Sequence, residues 1–171
     1  MSHLPYAILL SLFPALVIVA ALRDATSYLI PNWISLALVA AFPAAALVCG
    51  LVGWSLGAHL LAGLVALILG LAMFALGWIG GGDAKLFAVA GLWLGWPAGA
   101  AFLLVTALAG GGLAVSLLGL RSLWLQPLLL GSPNWFARLA TPGENVPYGV
   151  AIAVGALFAF PQCDLMQALG L

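Results

Sequence analysis

Long apolar runs separated by short polar breaks organise the chain. The first run, Leu4 to Leu22, ends at the polar stretch Arg23 to Ser27. The second begins near Pro31, a residue suited to the first turn of a helix, and extends to about Val52. The third covers roughly Leu56 to Ile79 and stops at Gly80-Gly81-Gly82-Asp83. A shorter run, Ala84 to Leu94, ends at Gly95-Trp96-Pro97, and a fifth runs from Ala98 to Leu120. Val146 to Phe160 forms the last, before a short tail. A helix crosses the hydrocarbon core with about 20 apolar residues. The pattern therefore predicts an all-α, polytopic membrane bundle of about six helices, with residues 1–171 as a single membrane-embedded domain.

One segment breaks the pattern. Arg121 to Asn145 is interrupted by Pro127, Pro133 and Pro142, so it is not expected to cross the membrane. Trp124 and Trp135 suit the membrane interface, where amphipathic rings are favoured. Within it, Asn134 to Ala140 has the length of one short interfacial helix.

Composition agrees with a lipid environment. Of 171 residues, 66% are hydrophobic and 5% charged, and mean hydropathy is +1.28. Soluble globular chains carry roughly a quarter charged residues, so eight charges cannot cover the surface of a water-soluble domain of this length. The net charge of zero gives no basis for nucleic-acid binding. Cys49 and Cys163 stand far apart, which excludes zinc-ribbon spacing and a disulfide framework. His3 and His59 fall at the external side by this reading, where they are expected at the interface without a paired ligand. No metal and no cofactor are expected.

Charge then orients the spans. No Lys or Arg precedes Leu4, whereas a signal peptide carries its basic residues in front. The first run is therefore read as a retained span with its N-terminus outside. In that orientation Arg23, Lys85, Arg121 and Arg138, all four basic residues, fall in cytoplasmic segments, as the positive-inside rule requires.

The same topology brings two of the four carboxylates to one face. Asp24 lies at the cytoplasmic end of the first span and Asp83 at the cytoplasmic start of the fourth; Glu144 and Asp164 are the others. An aspartic protease needs such a pair. One ionised carboxylate takes a proton from water, and the other, protonated, hydrogen-bonds the scissile carbonyl. Two close carboxylates cannot both ionise cheaply, so both roles become available and the titration belongs to the pair. A plainer account also fits: Asp83 as a helix cap and Asp24 as the partner of Arg23. The glycines Gly80, Gly81 and Gly82 leave backbone open to close approach by an extended peptide, or simply form a break between helices. Their spacing fits neither a P-loop nor a dinucleotide fingerprint.

Gly80-x-Gly82-Asp83, followed by Ala84-Lys85-Leu86, resembles the G-x-G-D motif of prepilin leader peptidases. Asp24-Ala-Thr-Ser-Tyr-Leu-Ile30-Pro31-Asn32 resembles that family's first aspartate with its following Ile-Pro-Asn. Gly91-Leu-Trp93-Leu94-Gly95 and Val146-Pro147-Tyr148-Gly149-Val150-Ala151 also match, so the likeness runs from about Asp24 to Gly155. The resemblance implies that Asp24 and Asp83 are a catalytic pair in an aspartic endopeptidase of the bacterial inner membrane. It also implies a multi-pass enzyme, active site toward the cytoplasm, that cleaves short basic leaders from type IV prepilin precursors. Small size and the Pro-Tyr-Gly-Val-Ala stretch resemble the tight-adherence, or Flp pilus, branch.

Two departures accompany the likeness. Ala25 to Leu29 lack the basic residues often found there in the family, which bears on how leader charges are met. The cytoplasmic insertion with cysteine pairs of bifunctional members is also missing, so methyltransferase activity is not expected. Asn32, Gly80, Gly82, Lys85 and Tyr148 are candidates for substrate binding or motif support. Asn32 would orient the first aspartate or start a helix, Lys85 would bias the dyad or anchor at headgroups, and Tyr148 and Glu144 would meet substrate or anchor at the interface. Gly110-Gly111-Gly112 is expected as a close helix-packing surface.

Two other functions compete. A small transport or assembly subunit would use the aspartates to bind or relay cations. Such proteins often show internal repeats and polar groups at mid-membrane, and neither is present. A presenilin-like intramembrane protease shares the G-x-G-D element; the Asp24 to Asn32 stretch favours the prepilin reading.

Overall fold

The computed structural model describes residues 4–122, 134–139, 141 and 144–168. Every apolar run becomes a helix: α1 (Leu4–Ser27), α2 (Asn32–Val48), α3 (Gly53–Ala75), α4 (Gly81–Leu94), α5 (Ala98–Leu120), α6 (Asn134–Leu139) and α7 (Tyr148–Ala159). A 3-10 turn, Phe160–Gln162, and the four-residue α8 (Asp164–Gln167) follow. The protein is a polytopic helical membrane bundle. Four segments are long and apolar enough to cross a membrane: Tyr6–Ser27, Gly53–Ala75, Ala98–Leu120 and Tyr148–Gln167. The apolar α2 is shorter, at 17 residues. At 14 residues, or about 21 Å, α4 is too short to cross alone. Pro14 and Pro43 sit inside α1 and α2, as neighbouring helices and local adjustment allow in membranes.

The short α4 is the centre of the bundle. It packs on α1, α2, α3, α5, α7 and α8, and nine of its fourteen residues are buried. A helix apolar around most of its circumference has no solvent face to spare. Trp93 near its end is fully buried, stacks on Phe13 at 5.3 Å, and meets Phe42 edge-on at 6.1 Å. Its indole N–H donates to the Leu38 carbonyl at 2.9 Å, which satisfies the one polar atom this large ring brings inside. Phe13 in turn meets Phe160 at 4.9 Å, so α1, α2, α4 and the 3-10 turn share one aromatic knot.

Small residues let α3 and α4 approach closely, as in membrane helix pairs generally. A methyl group added at Gly91 would lie 2.6 Å from the Ala66 Cβ, and one at Gly70 would lie 3.0 Å from the Ala84 carbonyl. On the other side, Gly155 of α7 packs on Thr106 of α5. The expected packing surface at Gly110-Gly111-Gly112 is smaller than its sequence suggests. Gly110 packs on Tyr148 and Ala151, while among the described residues methyls at Gly111 and Gly112 would meet nothing within 4 Å. The helix turns two of the three glycines away from α7.

His59 also departs from expectation. It is fully buried rather than interfacial. Since α3 starts at Gly53, His59 lies more than a turn inside the helix, on the face packed against α4. Its Nδ1 is 2.9 Å from the Leu92 carbonyl and its ring is tilted onto Phe42 at 5.7 Å. It presses on Gly95, where φ is +64° and any Cβ would lie 2.7 Å from Nε2. Glycine there both ends α4 and makes room for the imidazole. His3, and the interfacial reading of Trp124, Pro127, Pro133 and Pro142, lie outside the described residues.

Candidate active site

The structure brings Asp24 and Asp83 together. Asp24 lies in the last turn of α1, Asp83 in the first turn of α4, and both are buried, at 4% and 7% exposure. They are close enough to interact electrostatically. Burial and opposition of two carboxylates have no structural economy on their own, since an unpaired buried charge is costly.

Each carboxylate is held by backbone. The Gly80 N–H donates to Asp83 Oδ2 at 3.0 Å, half of a capping box from the third helical position. Gly80 has no side chain to complete the other half. Asp83 is therefore not the N-cap residue of the plainer account, since Gly80 holds that position, but one of its oxygens does bond the N-cap amide. The other, Oδ1, is buried and among the described residues has no hydrogen-bond partner. Asp24 is not spent on Arg23: its Oδ2 accepts the Gly149 N–H at 2.7 Å. The same N–H also faces the Asp83 carboxylate. One amide at the start of α7 thus sits between the two acids.

The motif glycines have steric roles. A methyl at Gly149 would lie 2.8 Å from Asp24 Oδ2 and 2.9 Å from Ile30 Cδ1. A methyl at Gly82 would lie 3.0 Å from Ile30 Cβ, and one at Gly80 would lie 3.2 Å from Asp83 Oδ2. Ile30, between α1 and α2, is therefore wedged against the glycines that flank the acids. That contact joins the Ile-Pro-Asn stretch to the G-x-G-D stretch, two segments some fifty positions apart in the chain.

The remaining candidates surround this centre without entering it. Lys85 is exposed, and its Nζ donates to Asn32 Oδ1 at 2.8 Å, tying the start of α4 to the start of α2. Asn32 is thus the partner of Lys85, and among the described contacts it makes none to Asp24. Tyr148 is half-buried with its ring against Gly110. It lines a cleft of about 250 Å3 with Phe87, Thr106 and Ile152. Its neighbour Gly149, rather than Tyr148 itself, meets Asp24. Glu144 lies 4.0 Å from Arg138.

Tyr28 is a further residue at this end of the bundle that no motif marks. It has φ of +54°, a conformation unusual for a residue with a large side chain. The Arg138 guanidinium of α6 lies 5.1 Å over its ring, and among the described residues its buried hydroxyl has no partner. Burial, then the nearby Glu144, raise the phenol above its usual range, while Arg121 and Arg138 oppose them. Arg121 donates to the carbonyls of Leu139 and Asn145, both at 3.0 Å, fastening the end of α5 to the segment that leads into α7. Arg23, Lys85, Arg121 and Arg138 therefore all cluster at the end of the bundle that holds the aspartates. At the opposite end, Ser55 donates to Asp164 at 2.9 Å, removing that carboxylate from consideration as a third acid. Among the described residues, no three His, Cys, Asp or Glu side chains group as metal ligands.

The family model of the type IV leader peptidases matches residues 11–115. That span contains both aspartates and the contact of Ile30 with Gly82, and ends before Gly149. No curated protein and no solved structure matches the chain.

Proposed function

The chain belongs to the type IV leader peptidase family, and from that premise we propose that it is a membrane aspartic endopeptidase. Its substrates are type IV, Flp-like prepilins, whose leader it removes at the cytoplasmic face of the bacterial inner membrane. The observation that carries the reading is the pair of buried acids around the Gly149 N–H, with Asp83 Oδ1 unpartnered among the described residues. A buried carboxylate oxygen without a partner suits a proton-transfer role better than a capping role.

The chemistry follows from two acids and one water. The ionised member of the pair takes a proton from water as the oxygen adds to the scissile carbonyl carbon. The protonated member donates its proton to the carbonyl oxygen. Collapse of the tetrahedral intermediate breaks the C–N bond, and the amine leaves with a proton from the pair. The products are a leader with a new carboxylate and a trimmed pilin with a new N-terminal amine.

Gly80, Gly82 and Gly149 support the dyad by leaving room for it, and the bond from Lys85 to Asn32 fixes the helix starts that carry the motifs. Tyr148, beside Gly149 in the chain and lining the cleft with Phe87 and Thr106, is assigned to substrate contact. Methyl transfer to the trimmed pilin is not part of this activity. Co-expression with candidate pilin precursors tests the reading. Leader removal that depends on this chain is expected, and precursors left intact by a membrane-inserted protein would contradict it.

A further inference from the structure

A second site lies on the face of α4 turned away from the aspartates. There α2 and α3 scarcely touch, and a groove of about 650 Å3 opens between them with α4 as its floor. That volume falls within the roughly 300–1,000 Å3 of small-molecule sites. Its walls are exposed apolar side chains such as Leu36 and Leu64, and its floor includes the buried Val89.

The polar groups of the groove come in a definite order along α2. Lys85 and Asn32 stand at the mouth, joined by their 2.8 Å hydrogen bond. That bond uses one of the three ammonium donors and the Asn32 oxygen, leaving two ammonium N–H groups and the amide NH2 for a ligand. Three residues on, about 4.5 Å deeper, is Ser35. It is only 6% exposed, lines the groove, and among the described residues its hydroxyl has no hydrogen-bond partner. The lining deeper than Ser35 is hydrocarbon. A serine inside a helix ordinarily bonds a backbone carbonyl one turn back, so an idle hydroxyl buried within the groove's lining is free to turn to an acceptor brought from outside.

We propose that this groove binds one glycerophospholipid with an anionic headgroup, its phosphate on Lys85 and Asn32, an ester carbonyl on Ser35, and an acyl chain along α3 and α4. Phosphate, ester and hydrocarbon follow one another in such a lipid in the order of the donors here. An apolar helix, from a substrate or a second copy of this chain, fits less well. Its carbonyls are bonded within itself at the depth of Ser35, and an uncharged segment gives Lys85 nothing to pair with. Free phosphate matches the mouth alone. A zwitterionic headgroup would bring its own ammonium beside Lys85. Bound lipid braces α2 against α4 near the turn that carries Asp83. The site does not depend on whether the protein cleaves pilins.

Native mass spectrometry of delipidated protein with phosphatidylglycerol, in its ester-linked and ether-linked forms, tests the site. The wild type should retain one lipid and prefer the ester form, since an ether lacks the carbonyl. Lys85→Gln should weaken binding about tenfold, from loss of a charged hydrogen bond. Ser35→Ala should weaken it severalfold and erase the preference for the ester. Phosphatidylglycerol with a photoreactive acyl chain should label the peptides containing Leu36 and Leu64 in unmodified protein, which needs no variant to fold. Binding unchanged in Lys85→Gln, an ester preference surviving in Ser35→Ala, or labelling only elsewhere would overturn the proposal. So would equal competition by inorganic phosphate, or stoichiometric displacement of the lipid by a precursor's apolar segment.

Discussion

The backbone N–H of Gly149 donates to Asp24 Oδ2 at 2.7 Å, across 125 positions of sequence. Because the same amide also faces Asp83, the start of α7 fixes the relation between acids carried by α1 and α4. Gly149→Ala should therefore be nearly as harmful as loss of an acid. Its methyl would fall 2.8 Å from Asp24 Oδ2 and 3.0 Å from Asp24 Cβ, so the carboxylate must move. A shift of about 1 Å in a reacting group costs on the order of a hundredfold. Cleavage rates of the purified variant in detergent check this, with a circular-dichroism melt to show that the bundle survives. Near wild-type cleavage would mean that the acids tolerate displacement.

A pair that works with one carboxylate ionised and one protonated gives a bell-shaped dependence of kcat/KM on pH. Activity should fall at low pH as both acids hold protons, and at high pH as both lose them. The two apparent pKa values belong to the dyad rather than to either residue. A rate that rises to a plateau with no alkaline limb, in protein that stays folded, would contradict the shared roles.

Much of this was legible in the sequence, for identifiable reasons. Apolar runs mark helices because lipid demands them, and Gly95-Trp96-Pro97 marks where α4 ends and α5 begins, but α4 starts at Gly81, inside the stretch expected to be a break before Ala84. The aspartates were legible because two short motifs carry them. What hydropathy cannot give is which face of an apolar helix packs and which meets lipid, since both are apolar. Hence His59 was expected at the interface and is in the core, and Gly111 and Gly112 were expected in a packing surface and are not. Gly149 stands inside a matched stretch, but a glycine offers no side chain to mark it beside the conspicuous Tyr148. Tyr28 gave no signal, because a positive φ at a non-glycine residue is imposed by the surrounding structure rather than by its own preference.

Topology is open to a direct check. Reporter fusions at the N-terminus and after Phe160 should report an external location, and fusions within Arg121 to Asn145 a cytoplasmic one. All four basic residues cluster at the end that holds the aspartates, and positive charge favours the inside. The reverse pattern would put the acids on the wrong side for leader removal.

Product mass distinguishes a peptidase from a bifunctional enzyme. Protein incubated with precursor and a labelled methyl donor should give trimmed pilin with no added mass. The segment Arg121 to Asn145 is short and proline-broken, and contains no cysteine. A methylated product made with no other enzyme present would show that a donor site exists in this small chain.

The central claim is that Asp24 and Asp83 perform the cleavage together, and isosteric substitution tests it most directly. Asp24→Asn and Asp83→Asn keep the shape of each side chain and remove its capacity to exchange a proton. Purified from membranes and incubated with a pilin precursor, each variant alone should leave the leader in place, with product at least a thousandfold below wild type, roughly the scale of a lost general acid or base. Both variants should still insert and melt cooperatively. If either one processes precursor at close to the wild-type rate, the two aspartates are not a catalytic pair.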